Sequence, residues 1–366
     1  MIHFVIGTRA QLFKMAPVML ECEKRGLEWR WIYTAQHKDT MQQSIKTFGL
    51  PEPAYTVVNW NTEAKTMGKM WQWFWRMMVA LTRGRKILAG KTGKKHIVVT
   101  HGDTITTWWA ALLGKLYRCK VMHVEAGFRS GHYFSPFPEE INRIITARLT
   151  DYHMCPGPEL VENVKHRRGE KINTVYNTQI DTLDFGLKHC ESASLKIPKG
   201  EYVVVSLHRY ENIFNKEKME KIVSLLGDIA KQYPVKFVQH PATSGQLDKL
   251  HLRKKLENNK NIELLPRLEY LPFIKLIKHC AFMVTDGGGN LEELHLMGKP
   301  TLVFRMVVEK TQYIGDTAEL SMLEKPKVLN FMKEYKKYQK PQVVPKHSPT
   351  DMCVDLLAPY SQKEKA

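Results

Sequence analysis

Carboxylates recur where the chain passes from an apolar run to a polar one. HGDTITT follows HIVVT and holds Asp103; EAGFRSG follows KVMHV and opens with Glu125; SPFPEEINR carries Glu139 and Glu140. Singly, each has a structural use: Asp103 suits a helix N-cap, and Glu139 and Glu140 suit the positive end of a helix. Gathered on adjacent strand tips, they are what general acid–base chemistry uses, one group to take a proton and another to return it. LHRYEN after YVVVS and HP after VKFVQ put His208 and His240 at comparable points, suited to proton transfer or phosphate contact. Two stretches favour anions. GTRAQLFK brings Arg9 and Lys14 after a glycine turn, a pattern for phosphate or pyrophosphate that a basic surface turn also produces. DGGGNLEEL, residues 286–294, sets three glycines before a helix, where bare N–H groups and the helix dipole attract an anion. Glu292 and Glu293 in the same helix would repel that anion unless one of them has another task.

These residues need a scaffold that collects strand ends. Strand-like runs alternate with helix-like ones: HFVI then 11–24, WRWIYT then 37–48, HIVVT then 104–116, KVMHV, then 139–147. The alternation restarts after Asp181: YVVVS then 216–231, VKFVQ then 247–257, IELL, AFMVT then 291–297, and TLVF. Such alternation predicts βαβ units and parallel sheets, which place ligands beyond the carboxyl ends of their strands. Two sets predict two doubly wound α/β domains facing across a cleft. The expected division is residues 1–176, residues 177–345 and a tail, 346–366, that returns to the first domain, with the hinge near 173–184. GTRAQLFK is neither G-x-G-x-x-G nor a G-K-[ST] loop, so a dinucleotide site or a phosphoryl-transfer loop is not supported.

With 43% hydrophobic and 25% charged residues, the chain suits a globular protein with substantial cores. The opening MIHFVIG lacks a basic leader and reads as a first strand. Six scattered cysteines with no C-x-x-C pair favour a reducing cytoplasm and argue against a zinc site. A net charge of +18 favours anionic partners, although no nucleic-acid-binding module accompanies it. KMWQWFWRMMVALTRGRK, residues 69–86, stands apart. Trp71, Trp75 and Met78 share one helical face, which Trp73 and Met77 widen. Core packing or a dimer interface is the expected cause, and weak association with a membrane surface the alternative.

The motifs GTRAQLFKMAP, TAQH, HGDT, HVEAGFRSG, SPFPEEINR, SLHRYEN, EYLPF and DGGGNLEELHLMGKP resemble, in order and spacing, those of the bacterial UDP-N-acetylglucosamine 2-epimerases, from residue 3 to about 305. The resemblance implies a GT-B architecture: two Rossmann-like domains with the active site in the cleft between them. It implies a non-hydrolysing epimerase converting UDP-GlcNAc to UDP-ManNAc, or a modified relative, through elimination of UDP to a 2-acetamidoglucal and its re-addition. Asp103, Glu125 and Glu139 match acid–base positions, and Lys14 and His208 match others implicated in catalysis. Arg9, Arg143, His240, Phe273, Gly288, Gly289 and Glu293 match the UDP-sugar site, with the glycines on the diphosphate, Glu293 on the ribose and Phe273 against the uracil. Glu292 is left without a task and is expected to be solvated. No metal or cofactor is implied; a homodimer is. Departures are Gln11 for an acid, Gly287 for a serine, and VEKTQ at 308–312, which keeps only Glu309. A hydrolysing epimerase, a GT-B glycosyltransferase and a catalytically silent UDP-sugar sensor are the rival readings.

Overall fold

The computed structural model describes residues 1–35, 41–59, 67–133, 136–308 and 311–361. The chain forms two compact units, one of Met1–Thr182 with Pro345–Ala366 and the other of Leu183–Val344. The division falls inside the helix Gln179–His189, a little beyond the expected boundary at residue 176.

In the first unit the strands are β1 (Ile2–Ile6), β2 (Trp29–Tyr33), β3 (Tyr55–Thr56), β4 (Ile97–His101), β5 (Lys120–Val124), β6 (Tyr152–Cys155) and β7 (Glu170–Asn173). They make one parallel sheet in the order β3-β2-β1-β4-β5-β6-β7. Strand order reverses at β1 and β4, so the loops leaving those two strands diverge and open a crevice at their carboxyl ends. β1 and β4 are buried along their whole length, which is why they read as unbroken apolar runs. Thr8 caps the helix Arg9–Lys24 through a reciprocal box with Gln11. The C-terminal helix Pro349–Leu357 packs on that helix, where Arg25 reaches Asp351 at 2.5 Å and Asp355 at 2.6 Å.

The second unit repeats the plan with β8 (Val203–Ser206), β9 (Val235–Val238), β10 (Ile262–Leu265), β11 (Phe282–Thr285), β12 (Thr301–Val303) and β13 (Ala318–Leu320). Its parallel sheet runs β10-β9-β8-β11-β12-β13, reversing between β8 and β11. A core built on Val203, Val205, Phe237, Phe282 and Val284 fills the space between sheet and helices. Both units are Rossmann-like, and together they give the GT-B class of α/β fold.

Several expectations need correction. The run 247–257 is two helices, Pro241–Lys249 and Arg253–Glu257, separated where His251 takes a left-handed φ of 55°. The helix expected from residue 37 is described from Met41; residues 37–40 lie outside the described residues. β6, β7 and β13 were not anticipated, because YHMC, EKIN and AEL are too short and mixed to give a strand period. The tryptophan helix, Met67–Ala80, turns the opposite way from core packing of Trp71 and Trp75. Trp73 and Met77 are wholly buried, while Trp71 is 69% and Trp75 64% exposed. Large apolar residues stand on both sides of the polar edge formed by Lys69, Gln72 and Arg76, so tryptophan spacing alone did not choose the inner face. A hydrogen bond chooses it: Trp73 Nε1 donates to the Thr34 carbonyl at 2.9 Å, inside the core.

Trp73→Ala is accordingly expected to cost about 3–5 kcal/mol in urea unfolding. Trp75→Ala should stay within about 0.5 kcal/mol of wild type. Equal losses would mean that both rings are buried.

Candidate active site

The first unit gathers its chemistry where β1, β4 and β5 end. Gln11 is buried one turn into the first helix, and its carboxamide oxygen accepts from Gly7 N at 2.9 Å and Thr8 N at 3.2 Å. Its amide nitrogen donates to the His101 carbonyl at 2.7 Å, Thr104 Oγ1 at 3.0 Å and Thr107 Oγ1 at 3.2 Å. One side chain thus fixes the tips of β1 and β4 against each other. From that base Lys14 Nζ donates to both oxygens of Glu125, at 2.8 and 2.9 Å, and His101 Nε2 lies 2.9 Å from Glu125 Oε2. Burial alone would raise the Glu125 pKa, but Lys14 and His101 more than offset it and hold the carboxyl well below its ordinary range. Glu125 has a left-handed φ of 65°, uncommon for a residue with a Cβ.

A second group lies beside it. Arg143 reaches Asp103 Oδ2 with Nη2 at 2.5 Å and Nε at 3.1 Å, and Glu140 Oε2 with Nη1 at 3.3 Å. Asn142 Nδ2 donates to the Asp103 carbonyl at 2.8 Å. Glu140 is wholly buried; it also accepts from Arg129 Nε at 2.5 Å and Ser130 N at 3.1 Å. Burial opposes its charge, yet those donors keep its pKa below the ordinary value. Glu139, at the start of the helix Glu139–Leu149, has its Oε2 buried without a hydrogen-bond partner. Gly102 joins the two groups: a Cβ there would stand 3.8 Å from Glu125 Oε2.

In the second unit the organising group is Asp286. Its buried carboxylate accepts from His208 N at 2.9 Å, Arg209 N at 3.1 Å and Asn212 Nδ2 at 3.0 Å, holding the loop after β8 against the end of β11. Gly287 caps the helix Gly288–Leu296, its N–H donating to Thr285 Oγ1 at 3.1 Å. The N–H groups of Gly288 and Gly289 then lie in the first turn, where no helical carbonyl precedes them. A Cβ on Gly287 would stand 2.6 Å from His208 Cε1, so the ring fills the space that a serine there would need. The His208 and His240 rings lie 5.8 Å apart. Burial, then Arg267 and His208, lowers the His240 pKa, and its Nδ1 accepts from Ala242 N, which leaves Nε2–H as a donor. Farther along the glycine helix, Glu293 Oε1 takes a long 3.5 Å bond from Tyr270 Oη. Burial, and then the Glu293 charge, pushes that phenol well above its ordinary value. Phe273 stands half-buried one turn beyond Tyr270.

The structure therefore brings Lys14 to Glu125 and Arg143 to Asp103, and His208 to the glycine turn beside His240. Lys14 and Arg143, expected to face a phosphate or a substrate, are engaged with carboxylates. Arg9 lies over the Phe13 ring, 4.9 Å from its centroid. Glu292 is half-buried with its charge felt by Tyr313 and His295, contrary to the expected solvated side chain. Glu309 and Gln36 of TAQH lie outside the described residues. Among the described residues no group of His, Cys, Asp and Glu could hold a metal ion. Sequence reasoning missed Gln11, His101, Glu140 and Asp286 as organisers; a polar residue inside an otherwise apolar strand or first turn was the available signal.

A GT-B pair of Rossmann-like units, with carboxylates at one sheet edge and a glycine-opened helix at the other, defines a nucleotide-sugar enzyme class. Comparison makes the family specific. The family profile described as UDP-N-acetylglucosamine 2-epimerase matches residues 20–349. The UDP-N-acetylglucosamine 2-epimerase of Methanocaldococcus jannaschii is 31% identical over 328 residues, 86% of each chain. That of Salmonella borreze is 31% identical, covering 89% of this chain and 86% of its own. The structure of the UDP-GlcNAc 2-epimerase from Methanocaldococcus jannaschii superposes with a TM-score of 0.82 at 26% identity, covering 97% of this chain and 99% of that one. The enzyme from Neisseria meningitidis, bound to UDP-GlcNAc, superposes at 0.76 and 26% identity, with the same coverage. The chain belongs to the UDP-N-acetylglucosamine 2-epimerase family.

The balance at Glu125 gives a direct test. Because its folded pKa is depressed, it contributes stability that is present above its ordinary value of 4.5 and lost as pH falls through the folded value. Lys14→Met leaves burial opposed mainly by His101, so the Glu125 pKa should rise. Stability at neutral pH should drop by roughly 2 kcal/mol, less than for a fully buried pair. Urea unfolding from pH 7 down to 3 should show the smaller acid-side loss in the variant.

Proposed function

We propose that the protein is a non-hydrolysing UDP-sugar 2-epimerase, interconverting UDP-GlcNAc and UDP-ManNAc or a modified 2-acetamido relative. The observation that carries this reading is the carboxylate set of a family member kept whole: Glu125 charged between Lys14 and His101, Asp103 on Arg143, and Glu139 with an unpartnered buried oxygen. The C2 proton is hardly acidic, so simple abstraction is a poor route. In elimination, a carboxylate removes the C2 proton as the C1–O bond breaks and its electron pair leaves with UDP. The result is a 2-acetamidoglucal. Re-addition reverses the step with the proton delivered to the other face of C2. One carboxylate must begin ionised and another protonated. Glu125 is held ionised and stabilises cationic Lys14 nearby; Asp103 and Glu139 are assigned the proton removal and return.

UDP falls to the second unit. The first-turn N–H groups of Gly288 and Gly289, the helix dipole, and the side chains of His208 and His240 meet the diphosphate. Glu293 accepts the two ribose hydroxyls, which answers the puzzle of acids in an anion-binding helix: the carboxylate sits farther along, beside the charge. Phe273 lies against the uracil.

In deuterated water, recovered UDP-sugar is expected to carry deuterium at C2 by proton NMR; epimerised product without exchange would exclude elimination. Free ManNAc with UDP would assign the protein to the hydrolysing branch. Glu293→Gln should weaken UDP binding by about 1.5–3 kcal/mol in calorimetry. Binding unchanged by that substitution would remove Glu293 from the ribose.

A further inference from the structure

We propose that His123, buried inside β5, is a positioning residue for Asp103, an inference that rests on the acid–base role assigned to Asp103 above. Where β4 ends, its backbone leaves the sheet and its carbonyls need donors from elsewhere. Three in succession meet a buried side chain: His101 O meets Gln11, Gly102 O meets His123 and Asp103 O meets Asn142. His123 Nε2 lies 2.7 Å from the Gly102 oxygen. A carbonyl only accepts, so Nε2 carries the proton and the ring is the donor.

The Gly102 carbonyl shares one planar peptide with the Asp103 N–H, so His123 sets the plane from which Asp103 departs. The preceding plane is set from the same strand, since Gly102 N donates to Val124 O at 3.0 Å. Gly102 is held between these bonds at a left-handed φ of 70°. The residue after Val124 is Glu125, the other acid of the group. Positions 123–125 therefore grip Gly102 on both sides and present Glu125, which fixes the separation of the two carboxylates. Packing alone does not call for histidine here. With Nε2 donating, Nδ1 is left buried with no hydrogen-bond partner, a cost that methionine in the same space would not carry. Burial lowers the ring's pKa to about 3, against the pull of the Gly102 carbonyl and Glu125, so the ring is neutral around pH 7. Its donor state is then indifferent to the proton traffic beside it.

C2 exchange in deuterated water, read by proton NMR, and UDP affinity, read by calorimetry, test this on the full chain. His123→Met should slow exchange about tenfold to a hundredfold, since small displacements of a reacting group are costly. UDP affinity should stay at the wild-type value, because UDP falls to the second unit. His123→Gln can bring an amide N–H close to where Nε2 stands and should recover most of the rate. His123→Asn reaches only to the place of Nδ1 and should be as slow as the methionine variant, so the two amides decide the matter even if methionine prevents folding. Wild-type exchange in the methionine or asparagine variant, a glutamine variant as slow as asparagine, or a matching loss of UDP affinity would overturn the proposal. Wild type that binds UDP-GlcNAc with no exchange at all would overturn the reading of the reaction itself.

Discussion

Gln11 is an amide where an acid would seem to serve, and the geometry of the first unit depends on that difference. Its oxygen accepts from Gly7 and Thr8, as a carboxylate could, but its nitrogen gives a proton to the His101 carbonyl 2.7 Å away. An ionised glutamate would face that carbonyl with no proton between two oxygens, in a site closed to water. The bond holds the end of β4, and the end of β4 carries His101, Gly102 and Asp103 in succession. Asp286 serves the second unit in the same manner with opposite polarity. There the groups to be held are N–H donors, of His208, Arg209 and Asn212, so a carboxylate is the matching acceptor. Each sheet thus spends one buried polar side chain on fixing the loops at its reversal point.

Around those anchors the two units settle charge differently. In the first, carboxylates and cations neutralise one another at contact distance: Lys14 with Glu125, Arg143 with Asp103 and Glu140, Arg129 with Glu140. Such pairing keeps burial from forcing every acid into its neutral form. Glu139 Oε2 stands outside the network, buried and without a hydrogen-bond partner. In the second unit, donors exceed acceptors at the glycine turn. First-turn N–H groups and two imidazoles suit a ligand that brings its own negative charge.

Much of this was legible in order and spacing. The strands that position chemistry lie in apolar runs bounded by polar tips, so β1, β4, β5, β8 and β11 could be read directly, and the residues at their ends followed. What periodicity could not supply was direction. The helix Met67–Ala80 carries tryptophans on two faces, and the inner one was settled by where the Trp73 indole found a carbonyl. Glu140 and Glu139 are neighbours of identical type, yet one is locked by three donors and the other left with an open oxygen. A sequence shows the cations Lys14 and Arg143 but not the acids across from them, Glu125 and Asp103. Strands such as Tyr152–Cys155 were illegible because YHMC mixes polar and apolar residues and forms no apolar run.

Departures from a family motif are best judged by what stands opposite them. Gly287 replaces a serine that would bring a hydroxyl to the diphosphate. In this chain the place for that side chain is filled, since the His208 ring lies within 2.6 Å of where its Cβ would be. Asp286 holds the backbone of His208 at this turn through the His208 N–H. Glycine also keeps the helix start open while its own N–H is satisfied by Thr285. On the proposed reading, the contact a serine hydroxyl would make passes to an imidazole that can donate a proton as well as a hydrogen bond. The substitution is then one half of a local exchange, with the anion-binding capacity of the turn retained and its chemistry moved from a hydroxyl to a ring.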